Sequence, residues 1–404
     1  MDKRFILVPS GPCPITVLED ITLVRLQLGE RTPVKSVKKR ARVVKGALLA
    51  EHTSPNQGDM HAPFDGVIKE VTATFIEIEH EAPKSEDASA GESKKTAAPD
   101  SDLTKPVEPA SFDGLDDVAL GMALKRLGIA IRPFTRPCEL FIINCLNPEP
   151  GMLYTQELLA SYMPVIEAGF AMARRLNNAP KFLLAVPEGS SAILEGASSV
   201  HVKPVYPNSL ARPLIRAVTG KEVTRHVTLV RLHNIFQLGL VAQSGLPLTH
   251  SVTTAFGNNY YAPLGTPVGA FLDQAGVKPQ QGDSIILGGA MRGVSISGIK
   301  RGLRKVDDSM ELIRKGSRPE FADNPCINCG ACVSVCPMRL RPNMLSRYSE
   351  FEQYESCRKE NIQTCIECGM CGWVCPSLRP MQQHFRMAKM NLGLSTFQHR
   401  LRGQ

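Results

Sequence analysis

Cys326, Cys329, Cys332 and Cys336 are followed at once by Pro337, and the same run recurs as Cys365, Cys368, Cys371, Cys375 and Pro376. Thiols in a C-x2-C-x2-C-x3-C-P run suit iron–sulfur cubanes, in the spacing of two-cluster electron carriers. The first three thiolates, each pair separated by two residues, wrap one corner of a cubane from a tight loop. The fourth lies three residues further on, points away, and ligates the other cluster. That reading gives Cys326, Cys329, Cys332 and Cys375 to a first [4Fe–4S] cluster, and Cys365, Cys368, Cys371 and Cys336 to a second. Proline after the fourth cysteine has no N–H to donate and keeps the loop in register. Small residues (Gly330, Ala331, Gly369, Gly372) let backbone N–H groups approach the sulfurs. Ile327, Val333, Val335, Ile366 and Val374 keep water off, and both effects tune a cluster's potential. Zinc also accepts four cysteines, but usually from two C-x2-C pairs. Cys357 lies outside both runs and is read as a structural thiol; Cys13, Cys138 and Cys145 are isolated, and small buried residues are the default for them.

The rest of the chain must position these loops. At 404 residues, and about 100–200 residues per domain, two to four domains are expected. Hydrophobic residues are 43% and charged residues 21%, enough for a sizeable core. A single tryptophan, Trp373, and few other aromatics disfavour a nucleic-acid-stacking surface. Nine of the 12 cysteines fall between 326 and 375, which favours metal binding over disulfides. The net charge of +8 is localised: residues 31–50 carry seven Lys/Arg and no acid, and five more follow Pro376, again with no acid. Such patches attract anionic headgroups or acidic proteins, or are simply solvated. No run of 18 apolar residues exists to span a bilayer. The apolar stretch of the N-terminus, broken by Pro9, is too short for a secretory signal. A location in the cytosol, or peripheral on the inner face of a membrane, follows.

Residues 1–80 alternate short Val/Leu/Ile runs with Gly and Pro turns and read as β-rich. Residues 81–110 hold almost no large apolar side chain and read as a flexible linker. Residues 111–222 read as α/β. The apolar runs at 139–146 and 181–187 suit strands buried on both faces, with a helix from Tyr154 to Leu176, another at 190–197 and a strand at 199–205. Residues 223–313 read as a small mixed sheet with one helix at 265–276, and 314–404 as helical outside the cysteine runs.

The chain resembles the RnfC family, the peripheral subunit of the Rnf electron-transport complex. The likeness is carried by "NPCINCGACVSVCPMRLRPNML" and "CIECGMCGWVCPSLRPMQQHFRMAKMNL". Upstream it extends through "VYPNSLARPLIRAVTGKEV", "GLPLTHSVTTAFGN", "PLGTPVGAFLDQAG", "GGAMRG" and "GDMHAPFDGVIKEV". The resemblance implies a multidomain architecture. It would comprise an N-terminal barrel-sandwich hybrid (hammerhead) at 1–80, a Rossmann-like α/β domain at 111–222, a β-grasp ligand-binding domain at 223–313 and an α-helical ferredoxin with two [4Fe–4S] clusters at 314–404. It also implies an oxidoreductase subunit of translocase type, peripheral on the cytoplasmic face of the inner membrane. Such a subunit relays electrons between a soluble partner on the ferredoxin/NADH side and the membrane subunits.

Two departures bear on the cofactor. Flavin- and NADH-binding members carry a Gly-rich loop, which at 119–137 here reads "ALGMALKRLGIAIRPFTRP" and looks more like NqrA. Of their Glu-Cys-Glu-Pro turn only Glu149 and Pro150 remain, so Glu149 is a candidate remnant of a flavin/NADH site or else an exposed turn residue. A phosphate cradle needs glycines to bring N–H groups to the oxygens, and their loss weighs against FMN. The alternative is therefore a nucleotide-free electron wire whose partner is a cytochrome or another redox protein. Carrier-type hammerheads present a lysine at the hairpin tip; "SPNQG" at 54–58 has none, which makes the domain a docking surface. No general acid–base pair is seen, and His61, His80, His201, His226, His233 and His250 are scattered among different elements, so a free-standing dehydrogenase is not expected. A non-redox scaffold is the third reading, disfavoured by eight thiolates in an electron-transfer spacing.

Overall fold

The computed structural model describes residues 6–7, 11–54, 57–81, 103–221, 226–317, 321–322 and 324–394. In the N-terminal part, period-two alternation turns one face of each strand inward. Val24 and Leu26 on strand Leu23–Gln27 stand opposite Ile78 and Ile76 on Phe75–His80. Gly66–Val71 and Arg42–Val43 complete this antiparallel sheet; Arg31–Pro33, Leu48–His52 and Met60–His61 form a second one. Both sheets close on one core that includes Val43, Leu49 and Ile68. Leu103 is sealed into that core, and its carbonyl accepts from the Val44 N–H at 2.9 Å. Most of the tract expected as a linker at 81–110 lies outside the described residues. Its end at 103–110 is docked, however, and the Ala110 N–H bonds the Gly245 carbonyl at 2.9 Å.

The middle of the chain is a four-stranded parallel sheet in the order Ser198–Val202, Lys181–Pro187, Leu140–Asn144, Val227–Arg231. Its two central strands, Lys181–Pro187 and Leu140–Asn144, are buried on both faces, as continuous apolar runs require. Phe141 and Ile143 face a layer built by helices Met163–Leu176 and Leu232–Ser244, while Ile142 faces the other way. The two helices meet backbone to backbone. A methyl group on Gly239 would stand 1.9 Å from the Val165 carbonyl oxygen, and one on Gly169 2.1 Å from that of Ile235.

This sheet corrects the expected boundary at 222/223. Val227–Arg231 pairs in parallel with Leu140–Asn144 rather than joining the following β region, and the helix after it was not foreseen. That helix buries nearly its whole circumference, so it lacks the polar stripe by which helices are recognised. The helix expected at 190–197 is absent; the segment is irregular, with a turn at 195–196. Gly189 and Gly196 adopt positive φ, and the Ser190 hydroxyl accepts from the Ala192 N–H.

A six-stranded mixed sheet follows, in the order Ile15–Val17, Asn258–Pro263, His250–Ala255, Ser309–Ile313, Ser284–Leu287, Val294–Ile296. Its edge strand Ile15–Val17 falls within the stretch expected as a β unit at 1–80, but pairs in parallel with Asn258–Pro263 instead. Helix Val268–Gln274 packs on it through Val268, Phe271 and Leu272. The C-terminal part gathers helices Pro342–Glu350, Tyr354–Lys359 and Met381–Asn391 around Leu345, Ile362, Phe385 and the fully buried Cys357.

Candidate metal centre

The two cysteine runs fold as near copies. Asn328 and Gly330 in the first loop have φ of 57° and 77°; Glu367 and Gly369 in the second have 54° and 79°. Left-handed residues at these two places curl each loop tightly. A one-turn helix follows in each, Ala331–Ser334 carrying Cys332 and Met370–Trp373 carrying Cys371. Cys336 and Cys375 come next, each leading into another left-handed residue, Arg339 (φ 54°) and Leu378 (φ 52°).

The thiols then sort into two groups that cross the sequence. Cys332 is pushed up by burial, then held down by the Asn343 N–H, and its charged neighbours are Cys326 and Cys375. Cys371 is pushed well up, first by burial and then by Cys365, Cys368 and Cys336. Cys368 rises to about 12, again mainly through burial, with Cys365 and Cys336 adding to it. Cys336 from the first run thus stands with the second loop, and Cys375 from the second run with the first. Cys336, Cys365, Cys368 and Cys371 line one cavity, closed by Leu345 and Phe385. None of the twelve cysteines forms a disulfide.

Backbone N–H groups point at these sulfurs. Leu340 donates to Cys336 Sγ at 3.4 Å, and Glu367, Met370 and Gly372 donate to Cys365, Cys368 and Cys371. Such donors stabilise thiolate charge, which a neutral thiol does not need. Among the described residues, no three His, Cys, Asp or Glu side chains converge closely enough to hold one metal ion. Four thiols around one cavity, with backbone N–H groups aimed at their sulfurs, are a donor set that a cubane fits.

The two loops differ in surroundings. Loop one faces outward, with Cys329 exposed and Ile327 66% exposed. Loop two is sealed against the parallel sheet. Tyr206 Oη donates to the Cys368 carbonyl at 2.7 Å, and Ile366, Cys368 and Met370 join the apolar cluster of Ile142, Leu183 and Leu214. Gln382 Nε2 donates to the carbonyls of Glu367 (2.7 Å) and Met291 (3.2 Å). Lys389 Nζ donates to the Cys365 carbonyl and to Glu367 Oε1, both at 2.7 Å.

Sequence reasoning missed Lys389, Arg386 and Arg379, taking them for part of a free basic tail. Arg379 and Lys389 are each 2% exposed, and Arg386 pairs with the buried Glu367. The spacing of Arg386 and Lys389 on one helix face was the signal that could have shown this. Arg400 and Arg402 lie outside the described residues. The basic stretch at 31–50 does reach solvent through Lys35, Lys38, Lys39, Arg40, Arg42 and Lys45.

Glu149 is not the exposed turn residue of the alternative reading: it is fully buried. Its Oε1 accepts from Arg292 Nε at 2.7 Å, and its Oε2 from the N–H groups of Met291 (2.9 Å) and Arg292 (3.2 Å). The "GGAMRG" turn is thus wrapped around this carboxylate, so closely that a methyl on Gly289 would sit 2.2 Å from Oε2. The 119–137 stretch is equally committed: Leu120, Leu124, Ile129, Ile131 and Phe134 fill the core of the α/β layer. These residues do not fit an FMN phosphate cradle. Of the 54–58 stretch, 55–56 lie outside the described residues, and its end is docked: the Gly58 carbonyl accepts from Arg31 Nε at 3.0 Å, and the following Asp59 N–H donates to the Lys125 carbonyl at 3.0 Å.

The 4Fe-4S dicluster domain family matches residues 318–376. The ion-translocating oxidoreductase complex of Rhodobacter capsulatus has a subunit, designated C, that is 27% identical over 424 aligned positions, covering 95% of this chain and 80% of that protein. The chain is a homologue of such subunits. The corresponding protein of Yersinia pestis bv. Antiqua (strain Antiqua) is 31% identical over 278 positions, 62% of this chain and 44% of that protein. The chain thus spans less than half the length of several relatives that it matches. The resemblance to the RnfC family stands on these relatives. An NAD+-reducing [NiFe]-hydrogenase in the H2-reduced state superposes with a TM-score of 0.44 at 12% identity, covering 72% of this chain and 63% of that one, too loosely to argue from. No helix among the described residues is long and apolar enough to cross a membrane.

Proposed function

We propose that this chain relays single electrons through two [4Fe–4S] clusters, as an RnfC-type subunit held against the membrane partners of an ion-translocating oxidoreductase. The carrying observation is the crossed grouping of thiols: Cys326, Cys332 and Cys375 in one set, Cys336, Cys365, Cys368 and Cys371 in the other. Cys329 completes the first set by its place in the run. Each cluster, when bound, supplies a one-electron couple. The chain's own residues hold the thiolates, aim N–H groups at the sulfurs and exclude water from loop two. The regions upstream are read, as in the RnfC resemblance, as hammerhead, Rossmann-like and β-grasp domains carrying a helical ferredoxin. The cytoplasmic face of the inner membrane is the location this reading assigns.

The outward loop one is the side at which a soluble redox protein exchanges electrons with the chain, and loop two faces inward. In this reading Ile327→Glu, which adds a charge beside Cys326 and Cys329, slows electron exchange with a reduced ferredoxin in stopped-flow bleaching by about tenfold. Iron content stays unchanged. Unaltered exchange would place the contact elsewhere.

A second reading concerns the donor. The filled core at 119–137 and the engagement of Glu149 favour a nucleotide-free wire, fed by a ferredoxin, a cytochrome or a similar protein rather than by NADH. Stoichiometric FMN in the anaerobically purified chain, or bleaching by NADH alone, would exclude it.

A further inference from the structure

The two cysteine loops share backbone shape but not charge. At the position where loop one has Asn328, exposed and neutral, loop two has Glu367, whose side chain is wholly buried. Two cations converge on that carboxylate: Arg386 Nε at 3.2 Å and Lys389 Nζ at 2.7 Å. Lys389, itself buried, also bonds the Cys365 carbonyl, so its ammonium is fixed against a cluster-bearing residue. Arg292 and Glu149 form another ion pair beside it, where the Arg292 carbonyl accepts from Arg386. In this buried group, among the described residues, three cations (Arg292, Arg386 and Lys389) stand against two carboxylates (Glu149 and Glu367), an excess of one positive charge.

A buried charge acts at low effective dielectric, so its influence is larger than on a wetted surface. Adding one electron makes a cluster more negative, and a nearby cation stabilises that form. A purely structural clamp would need only the Lys389–carbonyl bond and no excess of charge.

We infer that Lys389, fixed by Glu367, raises the midpoint potential of the cluster held by loop two and thereby sets it apart from the cluster of loop one. The inference rests on the two-cluster reading. Iron and labile-sulfide counts on the wild-type chain test that reading separately, and fewer than about eight irons would remove both.

The test is an EPR-monitored redox titration of the full chain, purified anaerobically. Lys389→Met should lower one couple so that its reduced-to-oxidised ratio at fixed potential falls about tenfold, which is about 59 mV for one electron. The other couple should stay in place. Glu367→Gln should move the same couple upward, and Lys389→Arg should keep it near the wild-type value. The Cys336→Ser chain identifies the couple, because the one that shifts is the one it lacks. Should Lys389→Met fail to load iron, the upward shift in Glu367→Gln carries the test. Unmoved couples, equal movement of both, or loss of iron in both variants would overturn the inference and make the pair a folding clamp.

Discussion

Cys336→Ser should remove the same cluster as Cys368→Ser, although the two residues belong to different sequence runs. Cys375→Ser should likewise copy Cys326→Ser. In each variant iron falls from about eight to about four per chain, given four per cubane. The EPR spectra should separate into two kinds only, shared by the crossed pairs. The expectation follows from the neighbours of each thiol: Cys371 and Cys368 both feel Cys336, while Cys332 feels Cys375. If ligation ran within each run, Cys336→Ser would instead match Cys326→Ser. Iron quantitation with EPR on the four variants separates the two schemes.

The second large effect is expected at Arg292. Replacing it by Met leaves Glu149 fully buried with its two backbone N–H bonds but no counter-charge. Breaking a buried ion pair from one side costs about 3–5 kcal/mol, because the remaining charge is stranded. The damage should spread, since the same turn holds Gln382 and Arg386 through the carbonyls of Met291 and Arg292. Urea unfolding of Arg292→Met should show the loss, and the double variant Glu149→Gln/Arg292→Met should regain a good part of it. If Glu149 were instead the remnant of a flavin site, the single variant would stay close to wild type in stability. A change within about 1 kcal/mol, of the size typical for a partly exposed hydrogen bond, would contradict the clamp.

How far the sequence speaks depends on whether a pattern is local. The cysteine loops are local: cysteine spacing, the glycines and the prolines are all within a dozen residues, and the fold repeats them as near copies. The strands Leu140–Asn144 and Lys181–Pro187 were equally legible, because strands buried on both faces read as unbroken apolar runs. Leu232–Ser244 was not. A helix buried all round carries no polar stripe, and Gly239, which argues against helix in isolation, is there so that another helix can touch it. The same holds for Ile15–Val17, whose partner strand begins more than 240 residues later.

Charge was the least legible property. Arg379, Arg386 and Lys389 look like a basic tail, and Glu149 like a loose turn or a relic. Their partners, Glu350, Glu367 and Arg292, come from other elements and convert surface charges into buried pairs. Only the fold brings these four pairs together.

The most direct measurement is iron, acid-labile sulfide and zinc on the full chain purified without oxygen. Two cubanes predict about eight irons and eight sulfides per chain, little zinc, and a visible absorbance that bleaches on reduction. Zinc in place of iron, or about four irons with no second EPR-active centre, would contradict the relay.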